Sequence, residues 1–259
     1  MPCSAPPSTE RSVRRGEEGV DRGLAVAIAA SDLGLQGVDL PEVGLAPFGD
    51  PVLEGGQPQI AARLNDAATW TKIKEEMRGL LAERGLKDLG FAVVASYRAN
   101  PSLNGLSMKQ VAAKLKGAES ADAQFEAARD MMLAGGASMV YHFMSDEDID
   151  RIMRHPQVGI ASDSSVLTMG AGAPHPRGYG NNARVLGTYV RELKIITLED
   201  AIRKMTSLPA QTFNLRDRGL IREGFAADLV IFDENTVADK ATFDQPHQYA
   251  VGFSNVIVN

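Results

Sequence analysis

Between residues 58 and 84, apolar side chains recur at three- and four-residue spacing: Ile60, Leu64, Trp70, Ile73, Met77, Leu80 and Leu81. That period puts them on one face of a helix, and Gly85 is a fitting stop. The pattern then changes. Phe91 to Ser96 is short, continuous and apolar, as a buried strand is, and Asn100 to Gly105 reads as a turn. Helical spacing resumes over 107–116 and 120–134, where Gly135 and Gly136 close it, and Ala137 to Phe143 reads as a second strand. Ser145 opens a capping-box-like start in which Asp148 can reach back to the Ser145 amide. Ile149, Ile152 and Met153 give that helix its apolar face, and Pro156 ends it. Val158 to Ser162 reads as another buried strand, ending on Asp163. Strand, helix and strand in this order predict the βαβ unit of a parallel sheet. A Gly- and Pro-rich loop, Ser164 to Asn182, leads to helices near 184–192 and 198–205. In the tail, Gly219 to Gly224 and Ala227 to Asp233 read as short β-strands joined by turns, and no internal repeat is visible.

Upstream of the first helix the text is different. Residues 1–24 hold Pro, Ser, Gly and charge with few core-formers, which predicts an unstructured leader. From Gly23 to Asp50 apolar residues alternate with Gly and Pro without a period, so no element is assigned there. Over all 259 residues, 44% apolar and 23% charged side chains are enough for one large domain or two smaller ones. A formal net charge of −6, with no basic run, argues against nucleic-acid binding. Cys3 is the only cysteine, which excludes an intramolecular disulfide and fits a reducing compartment. The apolar run Ala25 to Ala30 is far short of the roughly 20 residues a membrane helix needs. Glu17, Glu18 and Asp21 stand where a signal peptide wants positive charge. A soluble, cytoplasmic protein is expected.

Asp163 carries the most information about chemistry. A carboxylate ending a buried parallel strand, at the mouth of a long loop, lies where α/β folds build their sites. The plainer reading is an Asp that caps the next turn. His175 and Arg177 flank Pro176, which would hold an imidazole and a carboxylate-binding guanidinium fork on a stiff segment; a solvated surface loop is the alternative. Tyr141 and Met144 could line an apolar pocket or belong to the core. His142 alternates with Tyr141 along the strand and reads as structural. His155 suits a helix C-terminus, and His247 is expected to be exposed. The sequence holds no His-x-His, Cys pair, His-Glu-x-x-His, phosphate-binding Gly-rich loop or Gly-x-Ser-x-Gly elbow. A catalytic zinc needs about three protein ligands, and four scattered histidines with Cys3 supply no such spacing.

Three stretches nevertheless carry a family pattern: Val158 to Val166, His175 to Glu192, and Ser207 to Asp233. The last includes Gly219-Leu-Ile-Arg-Glu-Gly224 running into Ala227-Asp-Leu-Val-Ile-Phe-Asp233. Together they resemble the C-terminal part of N-acyl-D-amino-acid deacylases (D-aminoacylases), a branch of the amidohydrolase superfamily. The His175-Pro176-Arg177 stretch is the narrower signal for that branch. Glu54 to Met77 and Asn100 to Ala112 resemble its inserted small subdomain, and the likeness spans roughly residues 41–259.

The resemblance implies an α/β fold: the C-terminal part of an amidohydrolase (β/α)8 barrel, with the inserted subdomain and part of a β-sandwich. The organisation expected is an unassigned leader over 1–34, the inserted subdomain over 35–136, the last barrel strands and helices over 137–214, and a partial β-sandwich over 215–259. It implies zinc-dependent deacylation of N-acyl-D-amino acids, a hydrolysis of carbon–nitrogen bonds. Zinc lowers the pKa of its bound water to about 7, and the strand-end aspartate acts first as base and then as acid. Asp163 matches that aspartate, which is also a metal ligand; the family's histidine and cysteine ligands have no counterparts, and Cys3 sits in text that does not match. Arg177 matches the arginine that grips the substrate carboxylate, Arg151 a second such position, Tyr141 and Met144 the pair lining the side-chain pocket, and His175 a loop member. An inactive fragment that does not retain zinc is therefore expected, with a non-catalytic binding module as the alternative. Its partner is a small N-acyl-D-amino acid, with no nucleic acid or membrane.

Overall fold

The computed structural model describes residues 56–259, Phe143 excepted. The expected leader over 1–34, and residues 35–55 of the expected subdomain, lie outside the described residues.

Two hydrophobic cores organise the described residues. The first is built by the periodic segment, which forms α1 (Gly56–Asn65) and α2 (Ala67–Glu83). Asp66 starts α2 by accepting the Thr69 N–H at 2.8 Å, and Trp70, Ile73, Met77 and Leu81 are its buried face. Strand β1 (Ala92–Ser96) follows, then α3 (Met108–Lys116) and α4 (Ala121–Leu133). Ser107 and Gln110 form a capping box at α3, which ends at Gly117 with φ +72°, a backbone state that suits glycine. Leu64, Val94, Leu103, Val111 and Phe125 are fully buried here. Each such side chain contributes about 1.5–3 kcal/mol of burial free energy. The Trp70 indole N–H donates to Glu126 Oε1 at 2.7 Å, so the buried ring keeps its polar atom satisfied.

Strand β2 (Ser138–Tyr141) falls where the apolar pattern puts it, but it pairs antiparallel with β1, in the register Val93 opposite Val140. The expected border between residues 136 and 137 thus separates two hydrogen-bonded strands. Helix α5 (Asp146–Arg154) begins at Ser145, whose Oγ accepts the Asp148 N–H and donates to its carboxylate. The reciprocal contact comes from the Ser145 hydroxyl, not from its amide.

Val158 to Ser162 does not form the expected strand, and among the described residues both sheets are antiparallel. The expected parallel βαβ unit is therefore absent there. The segment is satisfied differently. Val158 and Ile160 are buried, the Ile160 N–H donates to Lys204 O at 3.1 Å, and the fully buried Lys204 ammonium donates to Val158 O at 3.0 Å and to His155 O. An apolar run of this length can be buried as coil when a distant side chain takes its carbonyls.

The second core gathers α6 (Arg177–Arg184), a wide π-helical continuation over Val185–Glu192, α7 (Leu198–Met205) and α8 (Ser207–Thr212). Val185, Tyr189 and Ala201 are fully buried in it. Helix α6 begins well before residue 184, because the fixed φ of Pro176 suits a helix entry. Residues 219–224 are turn, not strand, with Gly219 at φ +85° and Gly224 at φ +81°. Strand β3 (Leu229–Phe232) pairs antiparallel with β4 (Phe253–Ile257).

Candidate carboxylate-binding site

Arg177, the first residue of α6, is the centre of the site. Its Nη2 donates to Asp163 Oδ2 at 2.8 Å, its backbone N–H donates to His175 Nδ1 at 3.0 Å, and its carbonyl accepts the Ser162 hydroxyl at 3.1 Å. Asp163, His175 and Arg177 therefore do come together. The aspartate, however, lies on an irregular segment and its carboxylate is 69% exposed, whereas the Arg177 side chain is 22% exposed. Arg177 Nε is buried and makes no hydrogen bond. A buried donor left unpaired costs about 1–3 kcal/mol.

His175 accepts the Arg177 N–H through Nδ1, which assigns the proton of the neutral ring to Nε2. Burial, then the neighbouring Arg177, His142 and Arg184, push its pKa down to about 3. Phe243 stands edge-on to both His175 (centroids 5.0 Å apart) and His142 (4.5 Å). His142, also lowered by burial, thus belongs to the surroundings of the site.

One face of α6 is held close to the tail. A Cβ at Gly180 would lie 1.8 Å from Asp239 Oδ1, so only glycine lets the helix approach this carboxylate. Asp239 accepts from Arg184 Nε at 2.8 Å and from the Ala241 N–H at 2.8 Å, and the ion pair is nearly inaccessible to water. Asn181, 5% exposed, lies on the same face; its Oδ1 is buried without a partner while its Nδ2 donates to Asn182 Oδ1 at 3.0 Å.

The loop between Asp163 and His175 is pinned at two places. The Ala173 N–H donates to Ala95 O on β1 at 2.8 Å. His247 Nδ1 accepts from the Gly170 N–H at 3.2 Å and the Tyr179 hydroxyl at 2.8 Å, while Nε2–H donates to Gly172 O at 3.1 Å. His247 is half-buried and engaged, not exposed as expected.

Tyr141, Met144 and Arg151 have surroundings of their own. Tyr141 is half-buried, packs its ring 5.9 Å from Phe91, and has its pKa raised by burial. Met144 is exposed, and Arg151 is on the exposed side of α5. No described hydrogen bond, ion pair or ring contact joins these three to Asp163 or Arg177. Phe243, Asp239 and Asn181 had no sequence signal of a site.

Among the described residues no three of His, Cys, Asp and Glu come together as metal ligands would. Asp163 meets a guanidinium instead. The described residues do not fit a zinc centre.

The chain belongs to the amidohydrolase family: the Amidohydro_3 family model matches residues 84–259. Within it, the chain is similar to an N-acyl-D-glutamate deacylase of Alcaligenes xylosoxydans xylosoxydans, 41% identical over 160 residues, which cover 62% of this chain and 30% of that protein. It is also similar to an N-acyl-D-aspartate deacylase of the same organism, 43% identical over 123 residues that cover 48% and 24% of the two chains. Among solved structures, a D-aminoacylase superposes with a TM-score of 0.59 at 34% identity, over 67% of this chain and 34% of that one. An N-acyl-D-glutamate deacylase from Bordetella bronchiseptica, complexed with zinc and a phosphonate mimic of the tetrahedral intermediate, does so with a TM-score of 0.59 at 31% identity, over 74% and 41%. The D-aminoacylase has also been described with a binuclear metal centre. The chain spans about a third of the length of these relatives, and its described residues form an α/β part of the amidohydrolase fold.

Proposed function

We propose that this chain binds N-acyl-D-amino acids by their carboxylate, through Arg177, and that the polypeptide as it stands does not hydrolyse them. The observation that carries the reading is the half-used guanidinium. Asp163 takes only Nη2, leaving a buried Nε without a partner, and a carboxylate that bridges Nε and Nη2 satisfies both. The similarity to deacylases of N-acyl-D-glutamate and N-acyl-D-aspartate supports the choice of ligand class. In this reading His175 orients Arg177 through its backbone, Tyr141 and Met144 face the ligand side chain, and Arg151 is a second cation for the ligand. Hydrolysis would need a cluster of metal ligands together with an acid–base group. The described residues offer Asp163 alone toward that task, which supports binding without turnover. No helix among the described residues is long and apolar enough to cross a membrane, and a cytoplasmic location is part of the same reading.

The test is ligand titration of the full chain with N-acetyl-D-leucine and N-acetyl-D-glutamate, followed by NMR, beside a free-amine assay with added zinc. We expect binding that weakens at least tenfold in Arg177→Met, since hydrogen bonds to charged groups are worth about 1.5–3 kcal/mol each. No amine should be released. Equal binding by wild type and Arg177→Met would overturn the site; zinc-dependent release of D-amino acid would overturn the lack of turnover.

A further inference from the structure

We infer that Asn181 is a second ligand-binding residue of this site, accepting the amide N–H of an N-acyl amino acid whose carboxylate Arg177 holds. The inference rests on the carboxylate-binding reading above.

Arg177 and Asn181 stand four residues apart on α6 and so are neighbours on one helix face. Helical side chains lean back toward the N-terminus, which carries the Asn181 amide over the turn that Arg177 begins. The other polar groups of this face are satisfied, because Arg184 and Asp239 pair with each other across Gly180. Two atoms are not: Arg177 Nε, a donor, and Asn181 Oδ1, an acceptor, both buried. Asn181 Nδ2 donates to Asn182 Oδ1, which leaves the Asn181 oxygen as the atom of this amide without a partner.

An unpaired donor and an unpaired acceptor one helical turn apart define what a molecule reaching both would have to offer. It must offer an acceptor to the guanidinium and a donor to the amide oxygen, a short distance apart. A simple carboxylate meets only the first demand and sets its own negative charge toward Asn181 Oδ1. An N-acyl α-amino acid meets both, since its N–H is borne by the carbon next to the carboxylate. An ester analogue, with oxygen in place of that N–H, brings a second acceptor against Asn181 Oδ1 and loses the bond.

Three ligands separate the possibilities: N-acetyl-D-leucine, its ester analogue with oxygen in place of the N–H, and 4-methylpentanoate, which has the carboxylate alone. Binding to the full chain is measured by NMR titration, with folding followed by circular dichroism. Wild type is expected to prefer amide over ester by about tenfold. Asn181→Leu, close in volume, brings that ratio to about one and leaves 4-methylpentanoate binding within about twofold. Should the leucine variant not fold, Asn181→Ser withdraws the acceptor from reach and gives the same collapse. Arg177→Met weakens all three ligands. If wild type does not discriminate amide from ester, or either Asn181 variant still does, the inference is wrong and a buried water serves the two atoms. If none of the three binds, or Arg177→Met changes nothing, the carboxylate reading fails first and takes the inference with it.

Discussion

Acid should unfold this chain in part through one ring. His175 is held neutral, with its pKa pushed down to about 3 by burial and by the charges of Arg177, His142 and Arg184, whereas an unfolded histidine titrates near about 6.5. Below that value the unfolded chain takes up a proton that the folded chain refuses. The stability that depends on the neutral ring is therefore complete above about pH 6.5 and declines as pH falls toward 3, at up to about 1.4 kcal/mol per pH unit. At pH 5 the loss amounts to about 2 kcal/mol, a large part of the 5–15 kcal/mol typical of a folded domain. Urea unfolding followed by circular dichroism from pH 8 to pH 5, on wild type and His175→Gln, isolates the effect. Glutamine can still accept the Arg177 N–H but has no proton to gain, and His142, lowered by burial in the same direction, is present in both proteins. The stability difference between the two should be flat above pH 7 and shrink steadily below 6.5. An NMR titration in which the His175 ring protonates between pH 6 and 7, or identical pH slopes in both proteins, would refute the reasoning. The effect reaches the site, because a protonated Nδ1 cannot accept the bond that orients Arg177.

Two further substitutions test the scaffold. Asp239→Ala leaves the buried Arg184 guanidinium without its counter-charge, holding only the Ala241 carbonyl, and should cost about 3–5 kcal/mol in urea unfolding. The double replacement Arg184→Met with Asp239→Leu should recover most of that loss, and strictly additive losses would show the pair to be uncoupled. Lys204→Met removes the donor to His155 O, which keeps the Val158 N–H, and to Val158 O, which is left unpaired at a cost of about 1–3 kcal/mol. Amide exchange at Ile160 should quicken in that variant, and unchanged exchange would mean the ammonium does not hold the segment.

The helices were readable because their information is local. The 3.6-residue period of Ile60 to Leu81, and the caps at Ser107 and Ser145, act within a few residues of themselves. Strands β1 and β2 were readable as apolar runs, but their antiparallel pairing was not, since a run does not say which partner it meets. Val158 to Ser162 was misread for a related cause: whether such a run becomes strand or coil is decided by Lys204, more than 40 residues away. His175 and Arg177 are legible because Pro176 ties them into one stiff stretch, whereas Asp163 stands out as the end of a strand that does not form and meets Arg177 across the loop instead. Phe243, Asp239 and His247 were missed because their tail has no period, and only long-range packing brings it to α6.

That packing places the site where the two cores meet. His142 follows β2 of the first core, and Phe243 leaves the tail of the second and stands against both His142 and His175. The fixed part of the site, His175 with Arg177 and the α6 face, is thus backed by buried contacts on both sides. Asp163 is not fixed in this way: its carboxylate is 69% exposed and touches Arg177 through one bond. An ion pair that open to water is worth about 0–1 kcal/mol, so the aspartate can leave at small cost without disturbing either core. A ligand carboxylate that reaches both Nε and Nη2 gains two charge-assisted bonds and relieves a buried unpaired donor. The internal pair is thus a weak restraint on the Arg177 fork, one that an incoming carboxylate could displace without disturbing either core.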